Sequence, residues 1–163
     1  MSARAVKIAV VAILAIVGVI AVRHYFSPGE VVKRKLVGTI DAFEEERLLA
    51  AMSGISRSYS DPWGLSYESL GGYLKETMET YDELNFDYVL AKPEVGEGEV
   101  RIDIEFVLWG RYAGTKGYVI GSITEPCSAT VLWREETPGW RFASTPELDI
   151  PELRSQLESM RQD

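Results

Sequence analysis

Few residues in this chain can do covalent or acid–base chemistry, and their types narrow it sharply. The sole histidine, His24, precedes the folded part, which begins near Ser27. Ser-His-Asp and Cys-His nucleophiles and histidine-ligated zinc are therefore excluded from the domain. The single cysteine, Cys127, rules out an intrachain disulfide and a cysteine-built metal site. It reads as a small, partly buried residue on a strand, with an intermolecular disulfide or a reactive thiol as the alternative. Neither metal nor cofactor is expected. Carboxylates remain. Asp61 stands in Ser60-Asp61-Pro62-Trp63-Gly64, where Asp-Pro followed by Gly is turn chemistry and the carboxylate can accept a backbone N–H. Asp103 and Glu105 are two apart in an alternating run and share a face with Arg101, which describes a solvated, ion-paired sheet surface. Gly110-x-x-x-Gly114-x-x-Gly117, with Lys116, fits neither the phosphate loop nor the dinucleotide fingerprint and reads as a flexible hairpin.

The elements that position these residues follow from periodicity. Ser27-Pro28-Gly29-Glu30 has the pattern of a capping box with proline at the first helical position. Val32, Leu36, Ile40, Phe43, Leu48, Met52 and Ile55 then recur with helical spacing, and Gly54 is a natural stop. Glu44-Glu45-Glu46, between the two halves, marks a break or a solvated turn. A short segment, Ile55 to Ser60, leads to the Asp61 turn. Ser66 caps a second helix with Tyr67, Leu70, Tyr73, Leu74, Met78 and Tyr81 on its apolar face, and Gly71-Gly72 in it permits close packing. Strands follow. Leu84 to Leu90 alternates, and Val100 to Trp109 alternates most cleanly, so Ile102, Ile104 and Phe106 are expected in the core. A long strand runs between Tyr118 and Glu136, interrupted near Glu125-Pro126, and carries Val131 and Trp133 inward. A last strand starts at Trp140-Arg141-Phe142. A C-terminal helix is expected from Asp149 to Glu152 onward, with Leu153, Leu157 and Met160 on one face. Helices first and strands later, without βαβ alternation, predict an α+β domain over residues 27–163.

Residues 5–26 are expected to be a transmembrane anchor. Ile8 to Val22 is an unbroken run of fifteen apolar or glycine residues, and Lys7 can snorkel to the interface. Tyr25 and Phe26 suit the headgroup level. From Ala5 to Phe26 the stretch is long enough to cross about 30 Å of hydrocarbon. The competing reading is a cleaved signal peptide ending at Val19-Ile20-Ala21, but no polar region precedes that site. Basic residues flank both sides, Arg4 and Lys7 against Arg23 and Lys33-Arg34-Lys35. The short basic start favours the N-terminus inside, with the domain on the extracytoplasmic side of a bacterial inner membrane as a single-pass protein. All 25 acids lie from Glu30 onward against 14 bases, a net charge of −11. So acidic a domain is repelled by phosphate backbones, and nucleic acid is excluded as a partner.

The region from Val31 to Pro146 resembles the nuclear-transport-factor-2-like superfamily, which includes ketosteroid isomerases and SnoaL-like proteins. Three stretches carry the resemblance: the long first helix leading into Ser58-Tyr59-Ser60-Asp61-Pro62, the helix from Tyr67-Glu68-Ser69-Leu70, and the closing strand Gly139-Trp140-Arg141-Phe142. The resemblance implies a strongly bent antiparallel sheet closed by N-terminal helices, a cystatin-like cone. It also makes Asp61 the match to the general base of ketosteroid isomerases. That base needs an oxyanion partner, a Tyr and a protonated acid in an apolar cone. The matching positions read Leu36-Val37-Gly38, without Tyr, and Ile123-Thr124-Glu125, without Asp. Tyr59, Trp63, Tyr73, Tyr88, Trp109 and Trp133 are either core residues or the lining of a pocket for an apolar ligand. One fold hosts many activities. The missing catalytic partners favour a membrane-anchored, non-catalytic module binding a ligand or a protein partner, with a homodimer open. The alternative is a cofactor-free isomerase, dehydratase or cyclase using Asp61.

Overall fold

The computed structural model describes residue 17 and residues 25–150 of the 163-residue chain. Helix α1 spans Pro28–Glu44, and the Ser27 side chain accepts the N–H of Glu30 at 3.4 Å, so the predicted cap forms. The acidic run is a break. Glu46 takes a left-handed φ of 56°, and a separate short helix α2 covers Leu48–Ser53. Helix α3, Tyr67–Thr80, starts in a reciprocal capping box between Ser66 and Ser69. Gly71 of its glycine pair lets α2 approach, since a Cβ there would lie 3.1 Å from the Met52 methyl, whereas Gly72 faces open space. No helix among the described residues is long and apolar enough to cross a membrane. Apart from positions 17, 25 and 26, the expected anchor lies outside the described residues, as does the expected C-terminal helix beyond position 150.

Six strands form one antiparallel sheet: β1 Asp82–Leu90, β2 Glu94–Val95, β3 Glu99–Tyr112, β4 Thr115–Ile120, β5 Cys127–Glu136 and β6 Gly139–Asp149. The 14-residue β3 is the spine of the sheet. On one edge it pairs with β2 and β1, on the other with β5 and then β4, while β6 adds to β5. Register shifts interrupt three of these pairings, and such bulges bend a strand.

The hairpin expected from Gly110 to Gly117 forms as a ladder, with Gly110 opposite Gly117 and the tip at Ala113-Gly114. Gly110 is there for lack of room, because a Cβ would meet Tyr81 at 3.1 Å and Leu84 at 3.2 Å. The last strand runs on to Asp149, the residue expected to cap a helix, because β5 pairs with it as far as Ser128–Asp149.

The core forms where the α1 stripe meets the even-numbered face of β3. Val32, Leu36 and Ile40, at i, i+4 and i+8, pack on Val100, Ile102, Ile104, Ala129, Val131 and Trp133. Trp133 and Val100 are wholly buried, and Phe106 is half-buried at the margin. Each fully buried large aliphatic side chain contributes roughly 1.5–3 kcal/mol.

Candidate functional site

Asp61 owes its place to a segment docked along β6. Gly54 to Ser60 runs beside that strand. Phe142 N–H donates to the Gly54 carbonyl at 2.9 Å, Ser56 N–H to Phe142 O at 2.8 Å, and Ser60 N–H to Ala143 O at 3.3 Å. Side chains reinforce the seam: the Ser144 hydroxyl donates to Ser60 O at 2.6 Å, and the Arg141 guanidinium donates to Ser53 O. The short segment expected between the helices is thus a strand-like strip, joined to the sheet by the isolated bridge Ile55–Phe142.

At the end of this strip Asp61 is buried, and both of its carboxylate oxygens are engaged. Oδ1 accepts the N–H groups of Trp63 and Leu65, each at 2.9 Å. Oδ2 accepts the Tyr59 hydroxyl at 3.2 Å. Tyr59 is 5% exposed, and its oxygen lies 3.1 Å from that of Thr145. Because Tyr59 donates its one proton to Asp61, Thr145 is the donor of this second bond. Burial, the nearby Asp61 charge and the bond to it push the Tyr59 hydroxyl up from 10.0 to about 12, against a smaller opposing effect of the Thr145 bond. Tyr59 therefore stays a neutral donor at any ordinary pH. A second cluster lies further along the same strip. The Ser56 hydroxyl donates to Glu136 Oε1 at 2.6 Å and lies 2.9 Å from the Ser58 hydroxyl. Thr145, Ser56 and Glu136 carried no sequence signal, because only the docking of the strip against β6 brings them to it.

The six candidate aromatics do not converge on one space. Tyr59 and Trp133 each stack beside Phe142, with ring centroids 5.2 and 5.9 Å from its own. Both are core residues, and the Trp133 indole N–H is buried without a hydrogen-bond partner. Trp63 and Tyr73 are largely exposed on the Asp61 turn and on α3. Tyr88 sits at the edge of the main core, where burial and the Asp41 and Glu44 carboxylates of α1 push its hydroxyl up. Trp109 belongs to the opposite sheet face, where its N–H donates to Asp87 at 3.0 Å and the Lys116 ammonium sits 3.3 Å over its ring. The candidate oxyanion positions are no closer to a site: Leu36 is packed in the core, and Ile123-Thr124-Glu125 is an exposed loop.

The opposite sheet face carries the other feature. An open depression of about 500 Å³ lies over Val89, Asp103, Glu105, Ser128, Thr130 and Glu147, among others. Register aligns these residues in rungs. Asp103, Thr130 and Glu147 form one, and Val89, Glu105, Ser128 and Asp149 the next. Thr130 donates to Asp103 at 2.7 Å. A smaller depression of about 200 Å³ continues over Lys92, Glu94 and Arg101. Alternation exposed Asp103, Glu105 and Arg101 in the sequence, but their partners on β5 and β6 required the register. Among the described residues no group of three or more acidic, histidine or cysteine side chains is arranged to hold a metal.

No family model and no curated protein matches the sequence. Solved structures do match. A protein provisionally described as a dehydratase of the NTF2-like family, from Streptomyces avermitilis, superposes with a TM-score of 0.60 at 15% identity, covering 74% of this chain and 96% of its own. A protein provisionally described as a scytalone dehydratase, from Novosphingobium aromaticivorans, gives 0.60 at 9% identity over 73% and 80%. An NTF2-like protein with a cystatin-like fold, also from Novosphingobium aromaticivorans, gives 0.56 at 11% identity over 78% and 85%. The fold is therefore NTF2-like: N-terminal helices packed on a six-stranded antiparallel sheet. At these identities the likeness extends to the fold alone.

Proposed function

We propose that this chain is a non-catalytic binding module, held by residues 5–26 in a bacterial inner membrane with its domain on the extracytoplasmic side. The observation that carries the non-catalytic part is that both Asp61 carboxylate oxygens are held by donors of its own segment. A general base needs a carboxylate oxygen open to substrate and a separate donor for the oxyanion, and Asp61 is buried. Asp61 instead spends Oδ1 on two backbone N–H groups and Oδ2 on Tyr59. Its role is to shape the turn that leads into α3. The binding surface is the open depression on the far sheet face, lined by Asp103, Glu105, Glu147 and Asp149. Its openness and the carboxylates along it suit the surface of a protein partner better than an apolar small molecule.

A second reading is a cofactor-free isomerase, dehydratase or cyclase. Two structural neighbours described as dehydratases favour it, together with the burial of Asp61 beside Tyr59. Proton exchange separates the two. The full chain, incubated in deuterated buffer with a β-keto or steroid-like ketone, should add nothing to the buffer rate. Exchange that disappears in a stably folded Asp61→Asn variant would establish the enzyme. The binding surface is tested by crosslinking in intact membranes: reversing Glu105 and Glu147 to lysine should remove a partner adduct formed by the unmodified protein. An adduct pattern unchanged by the reversal would place binding elsewhere.

A further inference from the structure

One end of the domain presents apolar side chains where the chain leaves the expected anchor. Tyr25 and Phe26 are 56% and 67% exposed yet held in place. Their rings meet edge to face at 5.2 Å, the Arg34 guanidinium lies 4.0 Å over the Tyr25 ring, and Arg34 also donates to the Tyr25 carbonyl at 2.7 Å. Two residues on, the first turn of α1 abuts β2. A Cβ at Gly29 would lie 3.0 Å from Pro93 and 3.3 Å from Val95, so the helix approaches that strand by backbone contact. Val95 is itself 55% exposed. Tyr25, Phe26, Pro93 and Val95 thus lie at or against the first turn of α1, in segments that also carry Lys33, Arg34 and Lys92 beside Glu30, Glu94 and Glu97.

From these placements we infer that this end, the first turn of α1 with β2, rests on the lipid surface, and that the β3–β4 hairpin points away from it. The inference rests on the anchoring read for residues 5–26. Five residues, Arg23 to Ser27, separate the apolar run from α1. Fully extended, they reach at most about 18 Å. The first turn of α1 is therefore confined close to the headgroups, and β2 goes with it because it is packed against Gly29. Exposed aromatic rings at this level match the interfacial preference of Tyr and other amphipathic aromatics. Strand β3 begins beside β2 at Glu99 and ends at Tyr112, roughly 40 Å along its length at strand rise. Its two ends are therefore a built-in near and far reference. The acidic domain is repelled by anionic headgroups, so the contact is apolar and should tolerate high salt.

The test uses the full chain in phosphatidylethanolamine–phosphatidylglycerol vesicles, labelled with an environment-sensitive fluorophore at Val95→Cys or at Thr115→Cys. Cys127 is wholly buried and does not compete for the label. Lipids carrying a nitroxide at the headgroup should quench the label at position 95 several-fold more than that at 115, at low and high salt alike. If the protein resists carbonate extraction but both labels are quenched equally, the docked orientation is wrong and the anchor stands. If carbonate releases the protein, the anchor reading fails and the docking falls with it. If the label at 95 is shielded from lipid but self-quenches between copies, a second chain covers the patch and the membrane contact is refuted.

Discussion

Replacing Asp61 by asparagine and by alanine separates a turn-building carboxylate from a reactive one. Asparagine keeps an oxygen where Oδ1 accepts Trp63 N–H and Leu65 N–H at 2.9 Å. Its amide nitrogen replaces Oδ2 and can donate to Tyr59, whose hydroxyl then turns to Thr145, 3.1 Å away. The two backbone donors keep their acceptor, while the Tyr59–Thr145 bond reverses and the charge assistance is lost, so the cost should be about 1 kcal/mol. Alanine strands both N–H groups and frees Tyr59. A buried donor left unsatisfied costs roughly 1–3 kcal/mol, but Trp63 and Leu65 are partly open to water and recover some of that. A total of about 2–3 kcal/mol is expected. Urea denaturation followed by tryptophan fluorescence measures both, since Trp133 is wholly buried and reports unfolding. An asparagine variant as unstable as the alanine variant would show that the negative charge, not the acceptor geometry, holds the turn. An alanine variant as stable as the parent would remove the structural role altogether.

Tyr59 makes stability fall at alkaline pH. Its hydroxyl titrates at about 12 folded against 10.0 unfolded, so its stabilisation is complete below pH 10 and lost as pH rises through 12. Two units correspond to at most about 2.7 kcal/mol, and Tyr59→Phe should flatten that limb of the urea-midpoint profile above pH 10. A variant with the same alkaline slope as the parent would show that other groups produce it. Gly121→Ala should destabilise by at least about 1 kcal/mol, because φ is +68° and a Cβ would meet the Cys127 sulfur at 3.1 Å and its backbone nitrogen at 3.2 Å; an unchanged thermal midpoint would contradict this. Mass spectrometry of the mature protein should find residues 5–26 retained, and a chain starting near Val22 would establish cleavage instead.

Much of the fold was legible because its signals are local. The Ser27 and Ser66 caps, the α1 stripe and the alternation of Val100 to Trp109 depend only on backbone geometry and burial repeating at fixed spacing. Each recurs in the structure at the expected residues. Boundaries were less legible where two readings share a composition. The glycines from Gly110 to Gly117 marked a hairpin but not its register, and only the structure shows Gly110 opposite Gly117, where crowding by Tyr81 and Leu84 excludes a side chain. Asp149 looks like a helix cap, yet it pairs with Ser128.

The candidate site divides the same way. The Asp-Pro-x-Gly spacing alone pointed to a carboxylate folded back on its own turn, a contact made within four residues. That Tyr59 lies beside Asp61 and Thr145, that Trp63, Tyr73 and Trp109 share no pocket with Trp133, and that Glu147 stands level with Asp103 were decided by the tertiary structure. These positions are far apart in the chain, and their meeting is set by strand register and by the docking of Gly54 to Ser60 on β6. Local sequence determines which side chains a segment presents to each face. Which faces then meet depends on pairings across the whole chain, where shifting the register by one residue turns every side chain to the other side.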